Sequence, residues 1–116
     1  MLSIIEDDDA ARESLYIFLE CAGMACRSFD SCESFLAVGP DVEDCLILDI
    51  DMPGMSGLEL LEYLRGRGES LPVILVTGLS SPDTAERAKA ADAVAVLQKP
   101  FDPNALLELI QSAQGH

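Results

Sequence analysis

Cys45-Leu46-Ile47-Leu48-Asp49-Ile50-Asp51-Met52-Pro53-Gly54-Met55-Ser56-Gly57 is the stretch that decides the fold. Its first four residues form an unbroken apolar run of strand length, the pattern of a central parallel strand covered on both faces. Asp49 closes the run. Gly54 and Gly57 relax the turn that follows, and Gly57 is expected to take an unusual backbone dihedral there. Met52 and Met55 read as apolar packing beneath this loop. Ser56 to Arg65 then reads as a helix, with Leu58, Leu61 and Leu64 facing inward.

The same unit recurs on both sides. Upstream, Leu2-Ser3-Ile4-Ile5 reads as a buried strand ending at four acids, Glu6 to Asp9. A helix from Ala10 to Ala22 follows, capped by Asp8 or Asp9, striped by Leu15, Phe18, Leu19 and Ala22, and stopped at Gly23. Met24 to Phe29 reads as a strand, and Ser31 to Val38 as a short helix broken by Gly39-Pro40. Downstream, Pro72 opens a strand from Val73 to Val76, followed by Thr77-Gly78. Pro82 suits the first turn of a helix running to Ala91. Val94 to Leu97 forms a fifth strand, closed by Gln98-Lys99-Pro100. Pro103 starts a last helix to about Gln114, with Leu106, Leu107 and Ile110 on its apolar side.

Five strands thus alternate with five helices. This predicts an α/β fold, a flavodoxin-like (βα)5 three-layer sandwich with parallel sheet order 2-1-3-4-5. Residues 1–116 are expected to form one domain, either stand-alone or excised from a longer protein. In such a sheet a ligand sits at the carboxyl ends of the strands, where the strand order reverses.

Composition narrows the function classes. Apolar residues make up 49% of the 116, which excludes a disordered tail or a coiled coil. There is no run of 18 apolar residues and no basic leader, so neither a membrane span nor secretion is expected, and the location is read as cytoplasmic. Seven Lys and Arg against 21 Asp and Glu give a net charge of -14, which opposes direct binding to a nucleic-acid backbone. Cys21, Cys26, Cys32 and Cys45 include no CxxC pair, and the single histidine is His116 at the chain end. Buried free thiols are expected rather than a zinc site or a disulfide framework.

The chemistry lies in position. Strand one ends in Glu6-Asp7, strand three in Asp49, strand four in Thr77, and strand five near Lys99. With strands one and three adjacent, three carboxylates converge, and each raises the proton affinity of the others unless a cation is present. Oxygen-only ligands favour a hard ion, most naturally Mg²⁺. A cation, an ammonium and a hydroxyl around one carboxylate suit phosphoryl transfer, with Asp49 as the nucleophile.

Four stretches, Ile5-Glu6-Asp7-Asp8, Leu48 to Gly57, Val76-Thr77-Gly78 and Gln98-Lys99-Pro100-Phe101, carry a resemblance to the response-regulator receiver domains of bacterial two-component signalling. Asp49-x-x-Met52-Pro53-(x)3-Gly57 is the most specific of them, and the match spans nearly the whole chain. Thr77-Gly78 resembles receivers of the nitrogen-fixation and nodulation regulator type. The resemblance implies that Asp49 accepts a phosphoryl group from a histidine kinase or phosphotransfer protein. It implies Mg²⁺ held by Glu6, Asp7, Asp49 and the backbone carbonyl of Asp51, whose side chain points toward the pocket mouth. It further implies Thr77 bonding a phosphoryl oxygen, Lys99 pairing with the phosphorylated side chain, and a cis Lys99-Pro100 bond.

The resemblance implies a downstream effector domain or target protein as the output partner. It implies kinase docking on the first helix around Ala10, Ala11, Ser14 and Leu15. Two positions depart from the family pattern. Val96 stands where receivers usually carry an aromatic, which puts the usual switch in doubt. Asp92-Ala93 replaces the usual Gly-Ala, which alters the turn leaving helix four. On the expected output face, Arg87 and Lys89 are read as opposing Asp92, Asp102 and Glu108. Two other readings are a phosphorylation-independent receiver-like interaction domain and a small aspartate-nucleophile phosphatase built on Asp49-Ile50-Asp51.

Overall fold

The computed structural model describes residues 1–40 and 45–113. Their order is β1 (Leu2–Ile5), α1 (Asp9–Cys21), β2 (Cys26–Phe29), α2 (Cys32–Val38), β3 (Cys45–Asp49), α3 (Gly57–Gly66), β4 (Val73–Thr77), α4 (Pro82–Ala90), β5 (Ala95–Gln98) and α5 (Pro103–Ala113). The five strands pair in parallel in the order β2-β1-β3-β4-β5, as the alternation predicts. Gln114, the expected end of the last helix, and His116 lie outside the described residues.

Period-two alternation splits the sheet into two apolar faces. Leu2, Ile4, Ile47, Ile74 and Val76 face one side and pack with Leu19 of α1 and Leu106 and Ile110 of α5. Ile5, Leu46, Leu48, Val73 and Leu75 face the other and pack with Phe35 of α2, the leucines of α3 and Ala88 of α4. All residues of β1, β3 and β4 are buried, so these strands need no polar face. Each buried Leu or Ile contributes roughly 1.5–3 kcal/mol of transfer free energy. Leu60 is buried along with Leu58, Leu61 and Leu64. A second flank of α3 is covered where the α4 segment packs beside it, with Ala88 and Ala91 in the same buried cluster as Leu60.

Helix boundaries follow their caps. Asp8 caps α1 by accepting from the Ala11 amide, and Ser31 and Ser81 cap α2 and α4 in the same way. Ser56 is the N-cap of α3 rather than its first residue, and it forms a reciprocal capping box with Glu59. Pro82 takes the first turn of α4. Gly23, just past α1, has φ +88°.

Four expectations are corrected. Gly57 does not adopt a left-handed dihedral; Gly54 does, at φ +74°. Gly57 is needed for space, because a Cβ there would lie 2.3 Å from the Asp49 carbonyl oxygen. Cys32 and Cys45 are buried and Cys26 half-buried, with no disulfide, but Cys21 is exposed, since it lies across the helix from Leu19. Ala22 is likewise exposed at the end of α1. Arg87 pairs with Glu62 at 2.6 Å instead of facing the acids of the output face.

Asp92 holds φ +62°, the left-handed region where the pattern expects glycine. Its carbonyl, with those of Ala91, Glu69 and Leu71, accepts from the Arg65 guanidinium at 2.7–3.2 Å. One side chain thus ties the end of α3, the α3–β4 loop and the end of α4 together. Burial lowers the Arg65 pKa from its ordinary value.

Candidate functional site

The carboxyl ends of β1, β3, β4 and β5 meet where the strand order reverses, and there the fold gathers Glu6, Asp7, Asp49, Asp51, Thr77 and Lys99. Asp49 is the last residue of β3 and is 4% exposed, because the flanking strands and α3 wall it in. Glu6 follows β1 directly and is 7% exposed. Asp7 is on the surface beside them. One carboxylate oxygen from each of Glu6, Asp7 and Asp49 lies within 4.8 Å of the others. These three acids are therefore able to coordinate a divalent cation, and an all-oxygen set fits a hard one.

Lys99 balances the acids from the fifth strand. It follows β5, and its amide donates to the Thr77 carbonyl at 2.8 Å. The Lys99–Pro100 bond is cis. Its ammonium lies 3.1 Å from Glu6 Oε1 and 3.0 Å from Asp49 Oδ2. Burial lowers the lysine's pKa, but its bonds to Asp49 and Glu6 outweigh this and leave it raised. Burial pushes the Glu6 carboxyl up to about 7, and neighbouring Asp49 adds to the rise against the opposing pull of the Asp8 amide and Lys99. The remaining oxygens are also held. Glu6 Oε2 accepts from the Asp8 amide at 3.2 Å, and Asp49 Oδ1 from the Asp51 amide at 2.9 Å. Arg12 donates to the Glu6 carbonyl and to Asp9, fixing the chain between β1 and α1.

Thr77 is the last residue of β4 and is 1% exposed. Its hydroxyl lies 3.0 Å from Asp51 Oδ2 and 3.1 Å from the Leu79 carbonyl, and it accepts from the Leu79 amide. Asp51 Oδ2 also takes the Gly78 amide at 2.7 Å. The sequence brings Asp51 to the pocket mouth but gives no sign of this clasp. A loop side chain has no periodicity to set its direction, and only an acid two residues after Asp49 hints at it.

Val96 is half-buried against the core under α4 and borders a recess of about 230 Å³ beside Ala85, Ala88 and Ala93. A larger, mostly apolar cavity of about 390 Å³ lies between α1, α5 and the sheet. Ala11, Ser14, Leu15 and Phe101 line it, and it reaches Glu6, Asp49 and Lys99. Among the described residues no helix is long and apolar enough to cross a membrane.

A doubly wound parallel sheet with this acid–lysine cluster at its switch point is an architecture that signalling receivers share. Residues 2–111 match the response regulator receiver domain, and the chain belongs to that family. Within it, this is a CheY-like receiver of bacterial two-component signalling, closely related to FixJ-type regulators. The transcriptional regulatory protein FixJ of Azorhizobium caulinodans is 40% identical over 113 residues, covering 97% of this chain and 54% of that protein. The DNA-binding transcriptional regulator NtrC of Escherichia coli K12 is 37% identical, covering 97% of this chain and 24% of that protein. The crystal structure of FixJ-N superposes with a TM-score of 0.89 at 37% identity, covering 99% of this chain and 93% of that one. The chain spans about half the length or less of these two regulators. A receiver of this family typically works with a histidine kinase or phosphotransfer partner.

Proposed function

We propose that Asp49 is the phosphoacceptor of this receiver. One observation carries the reading: a nine-tenths buried carboxylate at the end of the central strand, with an ammonium 3.0 Å from one oxygen and an amide 2.9 Å from the other. Held so, the carboxylate cannot turn away from an incoming phosphorus. An oxygen of Asp49 attacks the phosphorus of a phosphohistidine on a sensor kinase or phosphotransfer protein. The phosphorus–nitrogen bond breaks, the imidazole leaves with the bond's electron pair and takes a proton, and an acyl phosphate remains on Asp49. Lys99 neutralises charge on the new group, and the Thr77 hydroxyl and Gly78 amide supply donors to its oxygens.

The cation suited to this site is Mg²⁺, which Glu6, Asp7 and Asp49, with the backbone carbonyl of Asp51, would hold. Bound there, it supplies charge neutralisation to the phosphoryl oxygens and to the crowded acids. The phosphodonor approaches over α1, where the small residues Ala10, Ala11 and Ser14 leave room beside Leu15. Phosphorylation alters contacts with a downstream effector domain or target protein, and the domain itself makes no direct nucleic-acid contact and works in the cytoplasm. Residues 1–116 act as one receiver domain, whether alone or as part of a longer regulator.

Incubation with acetyl phosphate and Mg²⁺, followed by intact mass, tests this. The expected result is a gain of about 80 Da that requires Mg²⁺ and is absent in Asp49→Asn. A gain that survives Asp49→Asn contradicts the assignment.

A further inference from the structure

Both donors that the β4 end offers to the site are already engaged. The Thr77 hydroxyl lies 3.0 Å from Asp51 Oδ2, and the Gly78 amide lies 2.7 Å from the same oxygen. The Asp51 amide meanwhile orients Asp49 Oδ1 at 2.9 Å. Residue 51 therefore spans the gap between acceptor strand and switch loop. Its main chain serves Asp49, while its side chain presents an anionic oxygen to Thr77 and Gly78.

We propose that the Asp51 carboxylate is an internal stand-in for a phosphoryl oxygen, latching Thr77 and Gly78 until phosphorylation of Asp49 displaces it. The inference rests on Asp49 as acceptor and adds a positioning residue that sets the threshold of the switch. A short bond from an amide to a carboxylate is among the stronger kinds, so it competes directly with a second anion for the same donors. Thr77 has one hydroxyl proton, within reach of both Asp51 Oδ2 and the Leu79 carbonyl, and it cannot serve either of them and a phosphoryl oxygen fully at once. The latch also restrains the chain that leads to Leu79, which is 79% exposed. Release of Asp51 thus frees the one large apolar side chain on this loop to move with Thr77.

The test uses beryllofluoride with Mg²⁺ as the phosphoryl mimic and isothermal titration as the readout. The proteins are the native chain, Asp51→Ala, Thr77→Val and the double variant. Removing the competitor in Asp51→Ala is expected to tighten binding by about tenfold, equivalent to about 1.4 kcal/mol. In the Thr77→Val background the gain is expected to fall by at least half on a logarithmic scale, because one latched donor is gone. An equal gain in both backgrounds would mean that Asp51 acts only by charge repulsion, and would overturn the latch. Weaker or unchanged binding by Asp51→Ala would overturn it too. No binding by the native chain would instead remove the phosphoacceptor reading on which the latch depends. A second readout needs no phosphoryl mimic: the Gly78 amide proton of the unliganded protein is expected to move upfield in Asp51→Ala. An unmoved resonance contradicts the bond itself.

Discussion

Substituting alanine at Gly57 and at Gly66 tests how tightly the site is built into the fold. Both glycines belong to α3, the first at its start and the second at its end. On helix propensity alone, either change gains up to about 1 kcal/mol. Their surroundings differ. A Cβ at Gly66 meets nothing within 4 Å, whereas one at Gly57 would lie 2.3 Å from the Asp49 carbonyl oxygen, 2.8 Å from its carbon and 3.0 Å from Leu48 Cγ. Two of these three are backbone atoms of the central strand and cannot rotate aside. Relief requires α3 to retreat from β3 by about 1 Å, and overpacking of this kind costs roughly 1–3 kcal/mol or more. Gly57→Ala is therefore expected to lose about 2 kcal/mol net, and Gly66→Ala to be neutral or stabilised by up to about 1 kcal/mol. Urea denaturation followed by circular dichroism measures both. The retreat also disturbs Asp49, so Gly57→Ala is expected to lose phosphorylation rate while Gly66→Ala keeps it. Equal stability of the two variants would refute the close approach of α3 to the acceptor strand.

Three further outcomes are expected. Asp92→Gly relieves a left-handed residue at φ +62° and is expected to raise stability by up to about 1 kcal/mol, read as a higher Tm; a lower Tm would show that the side chain offsets its backbone cost. Arg65→Met strands four carbonyl acceptors and is expected to cost about 3 kcal/mol, while Glu62→Gln, in a pair about 40% exposed on each side, should cost under about 0.5 kcal/mol; comparable urea midpoints would contradict this ranking. Glu6 has a folded pKa of about 7 against an ordinary 4.5, so the folded state binds the extra proton, and its contribution is full below pH 4.5 and lost as pH rises through 7. In metal-free buffer, stability is therefore expected to fall as pH rises across this range. Glu6→Gln is expected to flatten that part of the pH–stability curve, and an unchanged slope would contradict the buried, raised carboxyl.

The sheet was legible because its signals are local. Cys45 to Leu48 has the pattern of a doubly covered strand, and Asp49 follows it without a spacer, so the place of Asp49 at a strand end comes directly from the text of the chain. Glu6, Thr77 and Lys99 were legible for the same reason, each lying at or just past an apolar run. Boundaries were less so where a residue serves as a cap, as Ser56 and Ser31 do, since a cap contributes to the helix without joining it. Gly57 carries a steric constraint rather than the dihedral one its turn position suggests. A glycine in a turn signals either a positive φ or a close neighbour, and only the assembled β3–α3 contact distinguishes them. The Asp51–Thr77 clasp, the Arg87–Glu62 pair and the bonds from Arg65 to the Ala91 and Asp92 carbonyls join residues 25 or more positions apart, through side chains whose directions depend on packing. No periodicity encodes them.

The central claim is that Asp49 carries the phosphoryl group, and trapping the acyl phosphate tests it most directly. After treatment with acetyl phosphate and Mg²⁺, borohydride reduces an aspartyl phosphate to homoserine, and peptide mass spectrometry locates the product. The account predicts homoserine at position 49, with none at position 7 or 51. Homoserine at either of those positions, with residue 49 unchanged, would contradict it.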